Sequence, residues 1–313
     1  MSDSGRRIAV TGGAGFIGSH LARALSDRGH RLLIVDDCSS GSHTPQHERI
    51  SYTQRDICAP ETAETITEFD PDTLYHLAAR HYIPYCNENP RETFNVNVIG
   101  TRRVLEAVRR ASVETVVYAS SAAVYGPAKE PHVESERPRP TDIYGQTKLV
   151  GEDIVERFAT RYDFESVMYR LFNVYGPGET NPHVIPAILD QIDDEEGSIS
   201  LGNLRPKRDF VHVSDVVDAL LLPLDSATRS FDRYNVGTGT AHSVAELVEV
   251  IRDLVSTDFG IDQDDERLRE SDRPYLCADI RRIQEEFGWS PSYEVRAGLK
   301  QLIETEYERL THA

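Results

Sequence analysis

Thr11-Gly12-Gly13-Ala14-Gly15-Phe16-Ile17-Gly18 decides how this chain folds. Residues 7–11 (Arg-Ile-Ala-Val-Thr) read as a short buried strand leading into it, and Phe16 to Arg28 reads as a helix leaving it. Glycine is required at such a strand-to-helix turn where the backbone turns tightly, admits a pyrophosphate and packs helix on strand. The helix N-terminus then offers unpaired N–H groups and a partial positive charge to the phosphates. A second strand, Arg31 to Val35, ends in Asp36-Asp37, about twenty residues beyond the turn. A carboxylate there accepts hydrogen bonds from ribose hydroxyls and repels a 2′-phosphate, so Asp36 favours NAD over NADP.

Outward from this turn the pattern continues. Strand candidates lie at 51–55, 73–77, 114–120 and 166–171, with helical periodicity at 91–110 and 145–161. Strand alternating with helix predicts an α/β fold, a Rossmann-type doubly wound parallel sheet with right-handed crossovers. After residue 172 loops rich in Pro, Gly and Asn appear, at Tyr175–Pro186 and Gly202–Pro206. Strands follow at Asp209–Val213 and Tyr234–Val236 around a helix from Ser214, and helices at 243–255 and 294–310. The expected division is an NAD-binding Rossmann domain at 1–172, to which 209–245 returns. A smaller C-terminal α/β substrate domain takes 173–208 and 246–313.

Composition excludes several partners. A formal charge of −18 over 313 residues argues against nucleic acid or an anionic membrane as the main partner. Lys129, Lys148, Lys207 and Lys300 are the only lysines; an acid-rich, lysine-poor surface suits high salt, and a GC-rich genome also favours arginine. Cys38, Cys58, Cys86 and Cys277 show no paired spacing, so neither a zinc site nor a disulfide framework is expected. The N-terminus lacks the apolar core of a signal peptide, and no apolar run reaches the ~20 residues that span a bilayer. A cytoplasmic protein with reduced thiols is expected.

Tyr144 and Lys148, in Tyr144-Gly145-Gln146-Thr147-Lys148, open the helix at 145–161. This spacing puts phenol and ammonium on one face, a turn apart. A free phenol titrates near ~10 and is a poor base at neutral pH. A neighbouring ammonium is expected to lower that value.

The glycines at 12, 15 and 18 together with Tyr144 and Lys148 resemble the extended short-chain dehydrogenase/reductase family. Further motifs share the resemblance, in order, over about residues 7 to 290. Asp56-Ile57 is similar to the acid-plus-apolar pair that holds adenine, and Leu77-Ala78-Ala79 to the turn lying along the cofactor. Gly12, Gly15, Phe16, Ile17, Gly18 and Asp36 complete the implied cofactor site. Asn97 matches a structural asparagine, and Ser120-Ser121-Ala122-Ala123-Val124-Tyr125-Gly126 matches the strand end carrying a third catalytic residue, Ser121. Arg170-Leu-Phe-Asn173-Val-Tyr-Gly-Pro177 and Arg208-Asp209-Phe-Val-His212-Val resemble segments that hold a nucleotide diphosphate. Arg269, in Arg269-Glu-Ser-Asp272, resembles a late arginine contact.

The resemblance implies an NAD-dependent nucleotide-sugar epimerase. Tyr144 takes a proton from a sugar hydroxyl, Lys148 holds the nicotinamide ribose, and Ser121 hydrogen-bonds the reacting oxygen. Dehydratases of this family carry an Asp-Glu pair where this chain has Ala122 and Ala123, and related decarboxylases carry a Glu. Without that acid or base the keto-sugar only takes its hydride back. The implied substrate is a UDP-hexose or UDP-N-acetylhexosamine inverted at C4. Alternatives are a uronic acid, another NDP-sugar, an NDP-sugar oxidoreductase, or an NAD-binding sensor without chemistry.

Some segments depart from the family pattern. Leu201 stands near the position of a base-stacking aromatic, and Gly202-Asn-Leu-Arg-Pro-Lys207 replaces a Gly-Asp-Gly-x-Gln run. Arg80-His81-Tyr82-Ile83-Pro84-Tyr85-Cys86 is unusually bulky for a substrate-facing loop, and His81 is its candidate sugar contact. Segment 178–186 has no arginine, where uronate epimerases keep one, and Leu276 permits an N-acetyl group. A homodimer through the helices at 91–110 and 145–161 is expected, with Val98, Thr101, Leu105, Val108, Leu149, Ile154 and Phe158 as candidate interface positions.

Overall fold

Ile8, Val10, Leu32, Ile34, Val116 and Val117 are fully buried, as strands covered on both faces by helices require. A computed structural model describes residues 5–41, 46–194, 197–225, 232–264 and 273–311. The first half runs β1 (Arg7–Thr11), α1 (Phe16–Asp27), β2 (Arg31–Asp36), β3 (Ile50–Gln54), α2 (Pro60–Phe69) and β4 (Thr73–His76). It continues through α3 (Ile83–Glu88), α4 (Pro90–Phe94), a π turn (Asn95–Gly100), α5 (Thr101–Arg110), β5 (Thr115–Ser121), a 3-10 turn (Ala122–Val124), α6 (Ile143–Tyr162) and β6 (Glu165–Leu171). The second half runs β7 (Asn173–Tyr175), α7 (Val184–Asp193), β8 (Ser198–Leu201), β9 (Lys207–His212), α8 (Val213–Asp225) and β10 (Arg233–Val236). Then follow β11 (Ala241–Ser243), α9 (Val244–Arg252), β12 (Gly260–Gln263), β13 (Tyr275–Leu276), α10 (Arg281–Phe287) and α11 (Val295–Glu306).

Seven strands form one sheet in the order β10-β6-β5-β4-β1-β2-β3. The five pairings from β6 to β3 are parallel. Met168 N–H bonds Asp232 C=O and Phe172 N–H bonds Val236 C=O, so β10 advances in step with β6 and is parallel too. The order reverses at β1, with β4 on one side and β2 on the other, and ligands of open α/β sheets bind at such a switch point. Ala9, Leu33, Val35, Leu74, Val116 and Met168 pack one face onto α2, α5 and α6.

Two compact units result. One comprises Met1–Gly126, Arg137–Leu171 and Val217–Tyr234; the other comprises Pro127–Glu136, Phe172–Val216 and Asn235–Ala313. In the second unit β11, β9 and β13 form a sheet with β7 also paired to β9, and β12 pairs β8. Its core is built by Ile188, Leu189, Phe210, Leu247, Ile251 and Leu299. Among the described residues, no helix is long and apolar enough to cross a membrane.

The periodicity at 91–110 predicts one unbroken helix, but the π turn interrupts it. An extra residue in a turn leaves the apolar pattern nearly intact, so the sequence does not show it. Thr101, Leu105 and Val108 correct the expected interface: they are almost fully buried in the chain's own core, and Ile154 and Phe158 pack against it.

Candidate active site

The three spaced glycines differ in environment. Gly12 has φ of 75°, and a Cβ there would stand 2.6 Å from the Ala78 nitrogen. The turn after β1 therefore touches the turn after β4, where Leu77 and Ala78 donate N–H bonds to Thr11 C=O at 3.0 and 3.1 Å. A Cβ on Gly18 would lie 2.0 Å from Gly12 O, so α1 packs directly on the turn. Gly15 meets only Gly12 O, at 3.4 Å, leaving its backbone approachable. No side chain caps α1 at Gly15, so the first-turn amides of Phe16, Ile17 and Gly18 keep the anion-binding character of a helix start. These features fit a dinucleotide pyrophosphate. Asp36 is nearly buried and accepts N–H bonds from Ala14 (2.9 Å) and Cys38 (2.8 Å), and a carboxylate retains further lone pairs for ribose hydroxyls. Asp56 is exposed and accepts from Cys58 N–H at 2.7 Å. Ile57 is 4 % exposed, and its side chain packs in the core against Gly100. Ala79 is half-buried beside Ala78.

The Asp142 carboxylate caps α6 through Gly145 N–H at 2.7 Å. Gly145 lets the helix meet the 3-10 turn, since a Cβ would lie 2.2 Å from Ala123 O. Tyr144 thereby comes beside Ser121, whose hydroxyl acts to lower the phenol. Ser121 Oγ also accepts Ala123 N–H at 3.1 Å. Lys148 is 3 % exposed. Its Nζ donates to Ala119 C=O at 2.8 Å and stands 5.0 and 5.9 Å from the ring centres of Tyr118 and Tyr144.

The charges of this pair correct an expectation. Burial pushes the Tyr144 phenol up, and the Ser121 hydrogen bond only opposes it. Burial also pulls the Lys148 ammonium down from 10.5 to about 7. The lysine therefore does not by itself lower the phenol; desolvation penalises both charged forms. Next to them, Ala122 and Ala123 are 2 % and 4 % exposed and present only methyl groups.

Buried polar chains hold this geometry. Asn97 accepts Arg80 N–H (2.8 Å) and donates to Arg80 C=O (2.9 Å) and to Thr147 Oγ1 (2.9 Å). Thr147 in turn donates to Tyr144 C=O at 2.8 Å. Thr101 gives its single hydroxyl proton to Asn97 C=O at 2.6 Å, so at 2.8 Å it accepts from His76 Nε2–H. His76 Nδ1 then accepts the Thr11 hydroxyl at 2.6 Å. Burial, reinforced by Lys148, lowers His76 to about 3, which keeps this tautomer neutral. Beneath α6, Arg170 and Glu152 are 2 % and 1 % exposed and form a two-point ion pair at 2.9 and 2.7 Å. Ser120 donates to Glu152 at 2.5 Å, and Arg170 donates to the Tyr125 hydroxyl at 2.9 Å. Arg80, His76, Thr147 and Glu152 were not singled out from sequence as site residues. The stripe 144-148-152 is the one signal that points to Glu152.

In the second unit, Asn173 pairs with Phe210, and Leu276 pairs with Arg208. Side chains two residues apart on a strand share a face, so Asn173, Arg208 and Leu276 lie on one side of that sheet. Arg208 donates to Arg273 C=O at 2.6 Å. His81 is half-buried in the loop before α3. Arg269 lies outside the described residues.

Comparison with known proteins gives a consistent result. Residues 8–237 match the family model described as "NAD dependent epimerase/dehydratase family". The UDP-glucose 4-epimerase of Mycolicibacterium smegmatis is 32 % identical over 309 residues, covering 95 % of this chain and 97 % of that one. A crystal structure of UDP-glucose 4-epimerase with UDP-glucose from Thermotoga maritima is 28 % identical, with a TM-score of 0.89 over 97 % of this chain and 99 % of that one. UDP-N-acetylglucosamine 4-epimerase from Methanobrevibacter ruminantium, in complex with UDP-N-acetylmuramic acid, gives the same identity, TM-score and coverage.

A buried lysine with a lowered pKa leaves a signature in the cofactor-free protein. The unfolded chain binds more protons than the folded one between the folded value of about 7 and the unfolded value of 10.5. Wild-type stability therefore rises with pH across that window. Lys148→Met removes this dependence. Its stability relative to wild type is expected to be highest at pH 6 and to decline by a few kcal/mol by pH 10, measured by urea unfolding. A difference that does not change with pH contradicts the buried, desolvated lysine.

Proposed function

Because the chain belongs to the NAD dependent epimerase/dehydratase family, we propose that it inverts a hydroxyl of a nucleotide sugar through a transient keto-sugar. The preferred substrate is a UDP-hexose or UDP-N-acetylhexosamine, inverted at C4. The observation that carries this reading is the Tyr144–Ser121 pair beside the buried methyls of Ala122 and Ala123.

Tyr144 removes the proton of the C4 hydroxyl and later returns it. Ser121 donates to the same oxygen as it becomes a carbonyl. NAD, when bound, would supply a reversible hydride acceptor for that carbon and a positive ring that favours the phenolate. Lys148, held by Ala119, binds the nicotinamide ribose. Ala122 and Ala123 move no proton, so neither dehydration nor epimerisation at a neighbouring carbon has an acid or base.

The first unit takes the cofactor, through Gly12, Gly15, Phe16, Ile17, Gly18, Asp36, Asp56, Ile57 and the Leu77–Ala79 turn. Asn173, Arg208 and Arg269 are assigned to the nucleotide diphosphate, where arginine forks suit phosphate, and His81 to the sugar. Segment 178–186 offers no arginine for a uronate carboxylate, which favours a neutral sugar. The UDP-sugar names of the similar proteins support the base assignment. Cys38, Cys58, Cys86 and Cys277 are free thiols, which suits the cytoplasm.

A homodimer through α4, the π turn and α6 completes the reading. Phe94, Ile99 and Val150 are 39 %, 42 % and 38 % exposed on these elements, and the groove there is lined by Pro90, Phe94, Val98 and Ile99. Large exposed apolar residues gathered in this way mark an association surface.

A panel of nucleotide sugars read by product NMR tests the reaction. Interconversion of C4 epimers without added NAD is expected, and Tyr144→Phe should lower turnover by roughly 10²–10⁴ while NAD still binds. Full activity in that variant contradicts the assignment. For the dimer, light scattering should give twice the chain mass for wild type and a single mass for Ile99→Glu with Phe94→Asp. A monomeric wild type contradicts it.

A further inference from the structure

Arg80 follows the Leu77–Ala79 turn, and its guanidinium joins three separate segments. Nε donates to Glu92 Oε1 in α4 at 3.0 Å. One terminal nitrogen reaches Asp37 Oδ2 at 3.3 Å, and the other bonds the Ser39 hydroxyl. Asp37 and Ser39 lie in the loop after β2, where Ser39 N–H and Oγ both bond Asp37 Oδ1. The far oxygen of Glu92 accepts the Tyr85 hydroxyl at 2.6 Å. Asn97 fixes the Arg80 backbone from both sides.

The strand order makes this arrangement a bridge. β4 and β2 flank β1, and neighbouring strands are about 4.8 Å apart. The Arg80 side chain thus links the loop after β2 to α4 at the C-terminal edge of the sheet, where β1 ends in the glycine turn. The bridge is not a core element. The Arg80, Asp37 and Glu92 side chains are 19 %, 31 % and 42 % exposed, and ion pairs so placed contribute little to stability. A planar guanidinium with five donors is suited to joining several acceptors at once.

We propose that Arg80, anchored by Asp37, Ser39 and Glu92, forms a strap across the dinucleotide seated on the glycine turn and sets how slowly that cofactor leaves. This rests on the assignment of the glycine turn as the NAD site. A reaction that returns its hydride needs the same cofactor molecule to remain through the cycle, so slow release serves it directly. Cofactor departure then requires the bonds to Asp37 and Ser39 to open while Glu92 keeps the guanidinium near the rim.

The test uses the full chain loaded with isotope-labelled NAD and chased with unlabelled NAD, the retained label being counted after rapid gel filtration. Arg80→Met is expected to release label roughly tenfold faster than wild type. Glu92→Gln, which removes one exposed anchor, should fall between the two, and Arg80→Lys should recover part of the loss. Matching melting temperatures of the nucleotide-free proteins show that the variants fold. Release from Arg80→Met and Glu92→Gln within twofold of wild type, or slower than it, overturns the strap and leaves the NAD site intact. A wild-type chain that holds no NAD at all overturns the site assignment, and the strap with it.

Discussion

The Arg170–Glu152 ion pair holds α6 to the sheet. Both groups are out of water, and breaking such a pair by removing one partner costs about 3–5 kcal/mol, since a bare buried charge is left behind. Here the geometry is two-pointed and further satisfied by Ser120 and Tyr125. Arg233 adds a third contact to Glu152 at 3.3 Å. Glu152 stands one turn beyond Lys148 and two beyond Tyr144 on α6, while Ser120 directly precedes Ser121 on β5. One interaction therefore sets the position of the elements carrying Tyr144 and Ser121, and Gly145 and Gly151 give α6 the clearance to settle against the 3-10 turn and Tyr118.

Within that frame, burial makes the site inert on its own. The phenol is raised and the ammonium lowered, so the phenolate is disfavoured until a further positive charge arrives. A site built in this way confines base chemistry to the loaded state. The neutral His76 fits the same logic: its two threonine partners determine its tautomer, and its neutrality avoids a second cation near Lys148. The methyls of Ala122 and Ala123 then limit what the activated tyrosine is able to start.

Much of the first unit was legible because its signals are local. Strands buried on both faces read as short apolar runs, and β1, β4, β5 and β6 fall within a residue or so of their expected ends. The glycine turn, Asp36 and the Tyr144–Lys148 spacing also depend only on near neighbours in sequence. What was not legible depends on distance along the chain. Asn97 to Thr147, Arg80 to Asp37 and Arg170 to Glu152 are contacts between remote segments; nothing local in Arg80 announces its partners, and the stripe that marks Glu152 does not name Arg170. The short strands β7, β8, β11, β12 and β13 carry two to four residues each, too few for a periodic pattern. For Tyr144, the spacing to Lys148 is visible in sequence, but the burial that raises its phenol is not.

The central claim is that this site removes and restores one hydrogen on carbon and touches no other. Turnover of a UDP-hexose in D₂O, followed by NMR, measures this directly. Conversion to the C4 epimer with every sugar carbon retaining its original hydrogen is the expected result. Deuterium at C5 or C6 would show that an acid or base beyond Tyr144 acts in the site, and would contradict the claim.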